Sequence, residues 1–203
     1  EKQIEVFTTR PDTIYGATYM VLAPEHELVS ALTTAEQKET IASYIKYVST
    51  RSERDRMSEA KEVSGAFTGA YAINPFSGEE VPVWIGEYVL KDYGTGAIMA
   101  VPSDDERDNR FAKKYDLKIV EVVDKSEFDD AARQAKVGTM VNSDFLNGLT
   151  VKEAIEKMLE EIENRGIGQR KVNFRLRDAI YSRQRYWGEP FPVVYNEEGI
   201  TIP

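Results

Sequence analysis

Residues 93–108 read YGTGAIMAVPSDDERD. Glycine-punctuated turn residues run into a short apolar stretch that Pro102 closes, and then four carboxylates, Asp104, Asp105, Glu106 and Asp108, fall within five positions. A strand that stops where a helix starts sets a mixed architecture here. The helix start itself accounts for most of the acid. Ser103 can accept from the third helical amide while Glu106 reaches back to the amide of Ser103, which is a capping box. Asp104 and Asp105 then lie in the first turn, where the helix dipole favours negative charge. Asp108 stands one turn along and is not accounted for. It opens a second reading, a site for a cation that is either a metal or an ammonium group.

Outward from this stretch, residues 65–101 are rich in glycine, aromatic and β-branched side chains. GAFTGAYAI, the turn NPFSGEE, VPVWIGEYVL and GTGAIMAVP read as three or four strands joined by tight turns. Toward the N-terminus, QIEVF (3–7) and ATYMVLA (17–23) read as strands, and Pro24 suits the start of a helix through Leu32. Thr33 or Thr34 can cap the next helix, with Glu36 or Gln37 as box partner, and Ile41, Tyr44, Ile45 and Val48 recur at helical spacing. RSERDRMSEAKE (51–62) is charged on all sides, a loop or an exposed helix. Toward the C-terminus, residues 103–115 read as a helix and LKIVEVV (117–123) as a strand. Thr150 with Glu153 caps a last helix that ends near Arg165-Gly166, and RKVNFRLR (170–177) alternates like a strand leading away. The expected fold is mixed α/β (α+β), a curved or barrel-like β core with flanking helices. Near Gly166–Gly168 an acidic helix gives way to a basic ribbon, which places a boundary between a domain over 1–168 and a segment over 169–203.

The chain has 203 residues, 41% hydrophobic and 30% charged, which suits a soluble globular protein. No apolar run approaches membrane-spanning length and no signal-peptide pattern opens the chain. It begins directly in strand-like sequence, as a piece of something longer would. The absence of cysteine excludes a disulfide framework, a thiolate nucleophile and Cys-based zinc sites, and fits a cytoplasmic setting. The single histidine, His26, excludes multi-His zinc sites and reads as a structural residue on a first helical turn. No serine sits in a G-x-S-x-G elbow. Any hydrolysis must therefore proceed without the familiar side-chain nucleophile and base. The net charge of −9 argues against a general nucleic-acid surface, but its distribution is uneven. Arg165–Pro190 holds seven Arg or Lys against Asp178 and Glu189, so that segment carries +5 and the remainder −14. A basic ribbon interleaved with Phe174, Tyr181, Tyr186 and Trp187 suits a phosphate backbone, or is an exposed strand pair with solvated arginines.

The other unusual segment is TTRPDT (8–13), three hydroxyls, an arginine and an acid around one proline. Read locally, it is a turn between strands in which Asp12 bonds nearby amides. Together with its neighbours it says more. TTRPDTIYG, then YGTGAIMAVPSDDERD, then LRDAIYSRQRYWGEPFPV, in that order, resemble the leucyl-tRNA synthetases. The first two motifs lie in that family's editing domain, and the third resembles the stretch where the chain returns to the class I catalytic core. Isoleucyl and valyl enzymes share the domain and parts of these motifs. The order of YGTG, AVP and ERD close behind TTRPDT favours the leucyl family.

The resemblance implies a function: hydrolysis of the ester that links a wrong amino acid to the 3′-terminal adenosine of tRNA(Leu), the second sieve of a double-sieve device. Carried over by motif position, Asp108 holds the substrate's α-ammonium. Thr8 and Thr9 supply hydroxyls near the ester and the attacking water. Thr13 stands against the amino-acid side chain, Met99 and Val101 line the pocket, and Tyr93 lies near the adenosine. Arg10 orders the threonine loop or meets the terminal phosphate, and Asp105 and Arg107 belong to the substrate-binding set. Editing of this kind implies no metal and no cofactor, while ATP and Mg²⁺ belong to the full-length synthetase. The implied partners are the tRNA(Leu) 3′ end, misactivated amino acids and the rest of the synthetase. Signatures of the synthetic site, HIGH and KMSKS, are absent, so this segment alone is not expected to charge tRNA. One departure stands out: Asp104-Asp105 occupies the place where the family usually reads histidine-aspartate. Two other classes remain open on the residues alone, a non-hydrolytic module that holds a charged tRNA end and a Mg²⁺-dependent phosphohydrolase built on Asp104, Asp105 and Asp108.

Overall fold

Tyr19-Met20-Val21-Leu22 is apolar throughout, which suits a strand covered on both faces. In a computed structural model of the chain it is strand β1 (Tyr19–Leu22), and all four residues are buried. The structure describes residues 2–56, 63–126, 137–171, 194–195 and 201–202. The chain divides into two units, residues 1–169 and 170–203.

In the first unit β1 is followed by the short helix α1 (Val29–Leu32), helix α2 (Lys38–Ser49) and the single turn α3 (Glu53–Arg56). Strands β2 (Gly65–Ile73), β3 (Glu80–Gly86) and β4 (Ala97–Ala100) come next, then helix α4 (Glu106–Lys114). A two-stranded pair, β5 (Val123–Asp124) with β6 (Thr139–Met140), and helix α5 (Val151–Asn164) complete it. In the second unit β7 (Val194–Tyr195) pairs antiparallel with β8 (Thr201–Ile202).

The main sheet has the order β2-β3-β1-β4 and is open, with β2 and β4 at its edges, rather than closed into a barrel. β1 runs parallel to β3 and antiparallel to β4. The parallel pair needs a long connection, which α1 to α3 and strand β2 provide. Alternation along β1 then sorts the core. Tyr19 and Val21 pack with Ala100 and Phe111 beneath α4, whereas Met20 and Leu22 pack with Val29, Ile41 and Ile85 beneath α1 and α2. Beyond the end of β1, Ala17 and Val101 join Val122, Met140, Leu146, Val151, Ala154 and Met158 under α5. Strand β2 carries a bulge between Phe67 and Tyr71, where Gly69 takes φ +86°.

Several local expectations change. QIEVF forms no strand; Ile4 and Val6 pack on the core while their backbone stays outside the ladder. The helix after Pro24 is shortened to α1 by successive turns at Ala23 and His26. Thr34 is the N-cap by position of a 3-10 turn, Ala35–Gln37, and its side chain makes no cap bond. Of residues 117–123, only Val123 enters a strand, because the facing segment turns away at Asn142, whose φ is +49°. In α5 the Thr150–Glu153 capping box is complete. The expected strand over 170–177 lies, from residue 172, outside the described residues, as do Arg175, Arg177, Arg183 and Arg185.

Gly65 is one position where a side chain does not fit. A Cβ there would stand 2.6 Å from the Ile85 carbonyl and 2.7 Å from the Phe111 ring. Gly65→Ala is expected to lower stability by about 1–3 kcal/mol through overpacking. Thermal unfolding checks it, with a fall of about 2–4 °C per kcal/mol for a chain of this size.

Candidate functional site

The antiparallel pairing of β1 with β4 brings two motifs to one end of the sheet. Tyr19 pairs with Ala100, and the Thr18 amide donates to the Ala100 carbonyl at 3.2 Å. The segment that enters β1 is therefore beside the segment that leaves β4. Gly16 makes the approach close, because a Cβ on it would stand 3.2 Å from Cγ1 of Val101. Phe7, immediately before Thr8, lies against Gly94 in the turn that precedes β4. The threonine loop thus spans β4 from one end to the other.

The loop is ordered from within. Pro11 opens a 3-10 turn over Pro11–Gly16. The Arg10 guanidinium grips Asp12 through Nε at 3.0 Å and a terminal nitrogen at 2.8 Å, and Asp12 is fully buried. A charge-assisted fork of this kind fixes geometry as well as charge. Asp12 pairs with a guanidinium instead of the local amides expected of a simple turn. The Arg10 amide donates to the Thr8 hydroxyl at 3.0 Å, and the Thr13 hydroxyl donates to the Arg10 carbonyl at 3.0 Å. Thr13 is buried, Thr8 half-buried and Thr9 exposed.

The acids that follow β4 have separate fates. Asp105, not Ser103, is the N-cap of α4: its Oδ1 accepts from the amides of Arg107 and Asp108 at 2.9 and 3.0 Å. The amides of Asp104 and Asp105 both turn back to the Val101 carbonyl, so the helix starts later than the sequence pattern implied. Asp104 is bound to the Lys125 ammonium at 2.7 Å, with both side chains largely buried, and accepts from Ser103 at 3.1 Å. The negative charge of Asp104 is thereby neutralised within the fold.

Asp108 is 6% exposed. Its Oδ2 accepts from the Val101 amide at 2.9 Å, and its Oδ1 faces the Tyr88 hydroxyl at 3.4 Å. Burial first, and then the charge of Asp105, push its carboxyl up to about 7, against the lowering effect of the Val101 amide, the Tyr88 hydroxyl and Arg107. A carboxyl held this way favours ionisation when a cation arrives. Three carboxylates engaged with an ammonium, with helix amides and with the amide that follows β4 do not converge as metal ligands, and no group of metal-binding side chains occurs among the described residues.

Val101 thus joins the two motifs, packing near Gly16 through its side chain and bonding Asp108 through its amide. Met99 is half-buried opposite Met20 in the ladder. Arg107 lies over the Tyr88 ring at 5.7 Å. Tyr93 is 69% exposed, at the far end of β4 from Val101 and next to the Gly94 turn that meets Phe7. His26 accepts from the Leu28 amide through Nδ1 at 3.1 Å and stands against Gly96, outside this group. A polar cleft of about 590 Å³ opens beside Ser103, lined also by Glu121, Asp124, Lys125 and Ser126, but it holds neither the threonine loop nor Asp108.

The sequence family described as leucyl-tRNA synthetase, editing domain, matches residues 1–163. The chain belongs to that family. Leucine–tRNA ligase from Christiangramia forsetii is 56% identical over 194 residues, covering 95% of this chain and 20% of that protein. The crystal structure of the ternary complex of Agrobacterium radiobacter K84 agnB2 LeuRS, tRNA and LeuAMS aligns with all of this chain at a TM-score of 0.67 and 33% identity, over 22% of its own chain. The segment thus spans about a fifth of the length of these relatives.

Within this leucyl-tRNA synthetase editing domain, three partners of the motif residues lie outside the motifs. Tyr19 and Tyr88 bind Asp108, and Lys125 binds Asp104. Tyr19 and Tyr88 sit in apolar runs where an aromatic reads as core, and Lys125 follows a strand as an ordinary solvated lysine would. Among the described residues no helix is long and apolar enough to cross a membrane.

Proposed function

We propose that this domain performs post-transfer editing, hydrolysing isoleucyl-, norvalyl- or similar esters on tRNA(Leu). The observation that carries the reading is Asp108, a buried carboxylate anchored by one oxygen to Val101, the residue after β4 that packs near Gly16 of the threonine motif. Its other oxygen takes the substrate's ammonium. Water attacks the ester carbonyl, the bond to the ribose oxygen breaks, that oxygen takes up a proton from the attacking water, and the free amino acid leaves with the water's oxygen in its carboxyl group. An aminoacyl ester is reactive enough for orientation and oxyanion stabilisation to supply much of the acceleration. Thr8 and Thr9 serve those ends, and the vicinal hydroxyl of the tRNA assists.

In this reading Arg10 acts through Asp12, Thr13 with Met99 and Val101 shapes the side-chain pocket, and Tyr93 meets the terminal adenosine. Asp105 and Arg107 support the ammonium site. Editing uses no cofactor; ATP and Mg²⁺ serve the synthetic site of the whole enzyme. Residues 1–168 are the editing domain, and 169–203 return toward the catalytic core of a cytoplasmic synthetase. The test is deacylation of isoleucyl-tRNA(Leu) by the full-length synthetase that carries this segment, with and without a chelator. Chelator-insensitive hydrolysis is expected. Binding without hydrolysis returns the non-hydrolytic module, and hydrolysis lost on chelation returns the metal enzyme.

A further inference from the structure

Asp108 is held by two phenols as well as by the motif backbone. The Tyr19 hydroxyl donates to the Asp108 carbonyl at 2.9 Å, and both partners are buried. The Tyr88 hydroxyl faces the Asp108 carboxylate oxygen that the Val101 amide leaves over. Tyr88 is itself 6% exposed and wedged edge-on against Phe111, while Tyr19 stacks on the same ring. Arg107 lies over the Tyr88 ring at 5.7 Å. Burial pushes both phenols up, so each stays protonated at working pH, and the Tyr88 hydroxyl can donate to the ionised acid.

From this geometry we infer that Tyr88 is a positioning residue of the editing site: its hydroxyl aims and holds Oδ1 of Asp108, the oxygen that receives the substrate's ammonium. The inference rests on the editing function proposed above. The contact is long, 3.4 Å. Such contacts commonly tighten when substrate completes the site. Here the ammonium fixes the negative charge on Asp108, and a hydrogen bond to a charged acceptor is shorter and stronger than one to a neutral acid. The groups that face the carboxyl are Tyr19 from β1, Tyr88 from the β3–β4 connection, the Val101 amide and Asp105 from the loop, and Arg107 from α4. Of these, Tyr88 is the side-chain donor to the carboxylate itself, and it can be removed without changing a charge, a cap or a backbone group.

The substitution is Tyr88→Phe, which keeps the ring against Phe111. It is made in the full-length synthetase, and kcat/KM for isoleucyl-tRNA(Leu) deacylation is followed against pH, since kcat/KM reports groups of the free enzyme. Loss of a donor to the carboxylate raises the Asp108 carboxyl further. The ratio of variant to parent is expected to fall by about 3- to 10-fold below neutrality and to return toward one above it, one pH unit of displacement corresponding to about tenfold. The substrate's own ammonium titrates identically in both proteins and cancels in the ratio. A ratio that is the same at every pH, or no change at all, overturns the inference. The Asp108 carboxyl is also titrated directly by ¹³C NMR in both proteins. Its midpoint is expected to rise in the variant, and an unmoved midpoint overturns the inference even if kcat/KM changes. If the parent hydrolyses no mischarged tRNA, the editing function fails, and the NMR titration still decides whether Tyr88 holds the acid.

Discussion

Asp108→Ala is expected to remove nearly all deacylation of isoleucyl-tRNA(Leu) while the protein stays folded. Removing one partner of a buried charge pair costs about 3–5 kcal/mol, or about 10²- to 5 × 10³-fold in rate. Asp104→Asn is the comparison. Asp104 is spent on Lys125 and Ser103, so its loss is expected to cost less than about tenfold in rate, the scale of a single hydrogen-bonded contact. Equal losses from both substitutions would mean that the acids act as a cluster. Asp108→Asn adds a stability readout. The folded carboxyl titrates near 7 against an ordinary 3.8. Between those values the folded protein keeps a proton that the unfolded chain gives up, so stability falls as pH rises through that window. The amide removes this slope and still accepts from Val101. Its melting temperature at pH 7.5 is expected to exceed the parent's by at least about 2–4 °C, the equivalent of about 1 kcal/mol. An inactive but more stable protein is what a functional acid leaves behind; an inactive and unstable one would mark Asp108 as structural.

Thr13→Ala is expected to open the sieve to leucine. Isoleucine and leucine bury nearly equal apolar area, so affinity for apolar surface cannot separate them. Exclusion needs a stiff obstacle against the branch at Cγ, and Thr13 is stiff for two reasons: its β-branch limits χ1, and its hydroxyl is tied to the Arg10 carbonyl at 3.0 Å. Deacylation of correctly charged leucyl-tRNA is expected to rise by about 10- to 200-fold in the alanine variant. Thr13→Val separates shape from tethering, because it keeps the branch and loses the hydroxyl. It is expected to go on sparing leucine. If valine leaks as much as alanine, the tether to Arg10 sets the selectivity; if alanine also spares leucine, Met99 or Val101 becomes the wall. Thr13→Tyr fills the pocket and is expected to block hydrolysis of every ester.

The features legible in the sequence are those fixed by neighbours in the chain. The capping box at Thr150 and Glu153 closes over three residues and needs nothing else. Strands β1 to β4 announce themselves by β-branched and aromatic content between glycine-rich turns. The SDDE pattern puts the cap of α4 at Ser103, whereas Asp105 is the cap. The choice falls to Asp105 through the Val101 carbonyl, which holds the amides of Asp104 and Asp105 in a turn. The segment over 117–123 has strand composition, but a ladder needs a partner, and Asn142 bends the partner away. In the site, the order of the motifs placed Thr8–Thr13 and Val101–Asp108 near one another only by resemblance. The physical reason, antiparallel pairing of β1 with β4, is a tertiary fact. Tyr88 and Lys125 reach their acids from 20 and 21 residues away, where no periodicity in the sequence points.

The most direct measurement sets the rate of isoleucyl-tRNA(Leu) deacylation beside that of leucyl-tRNA(Leu), in the full-length synthetase that carries this segment. Rapid hydrolysis of the isoleucyl ester with the leucyl ester spared, by about tenfold or more, is the expected result. Equal rates for the two esters, or hydrolysis of neither, would contradict the account.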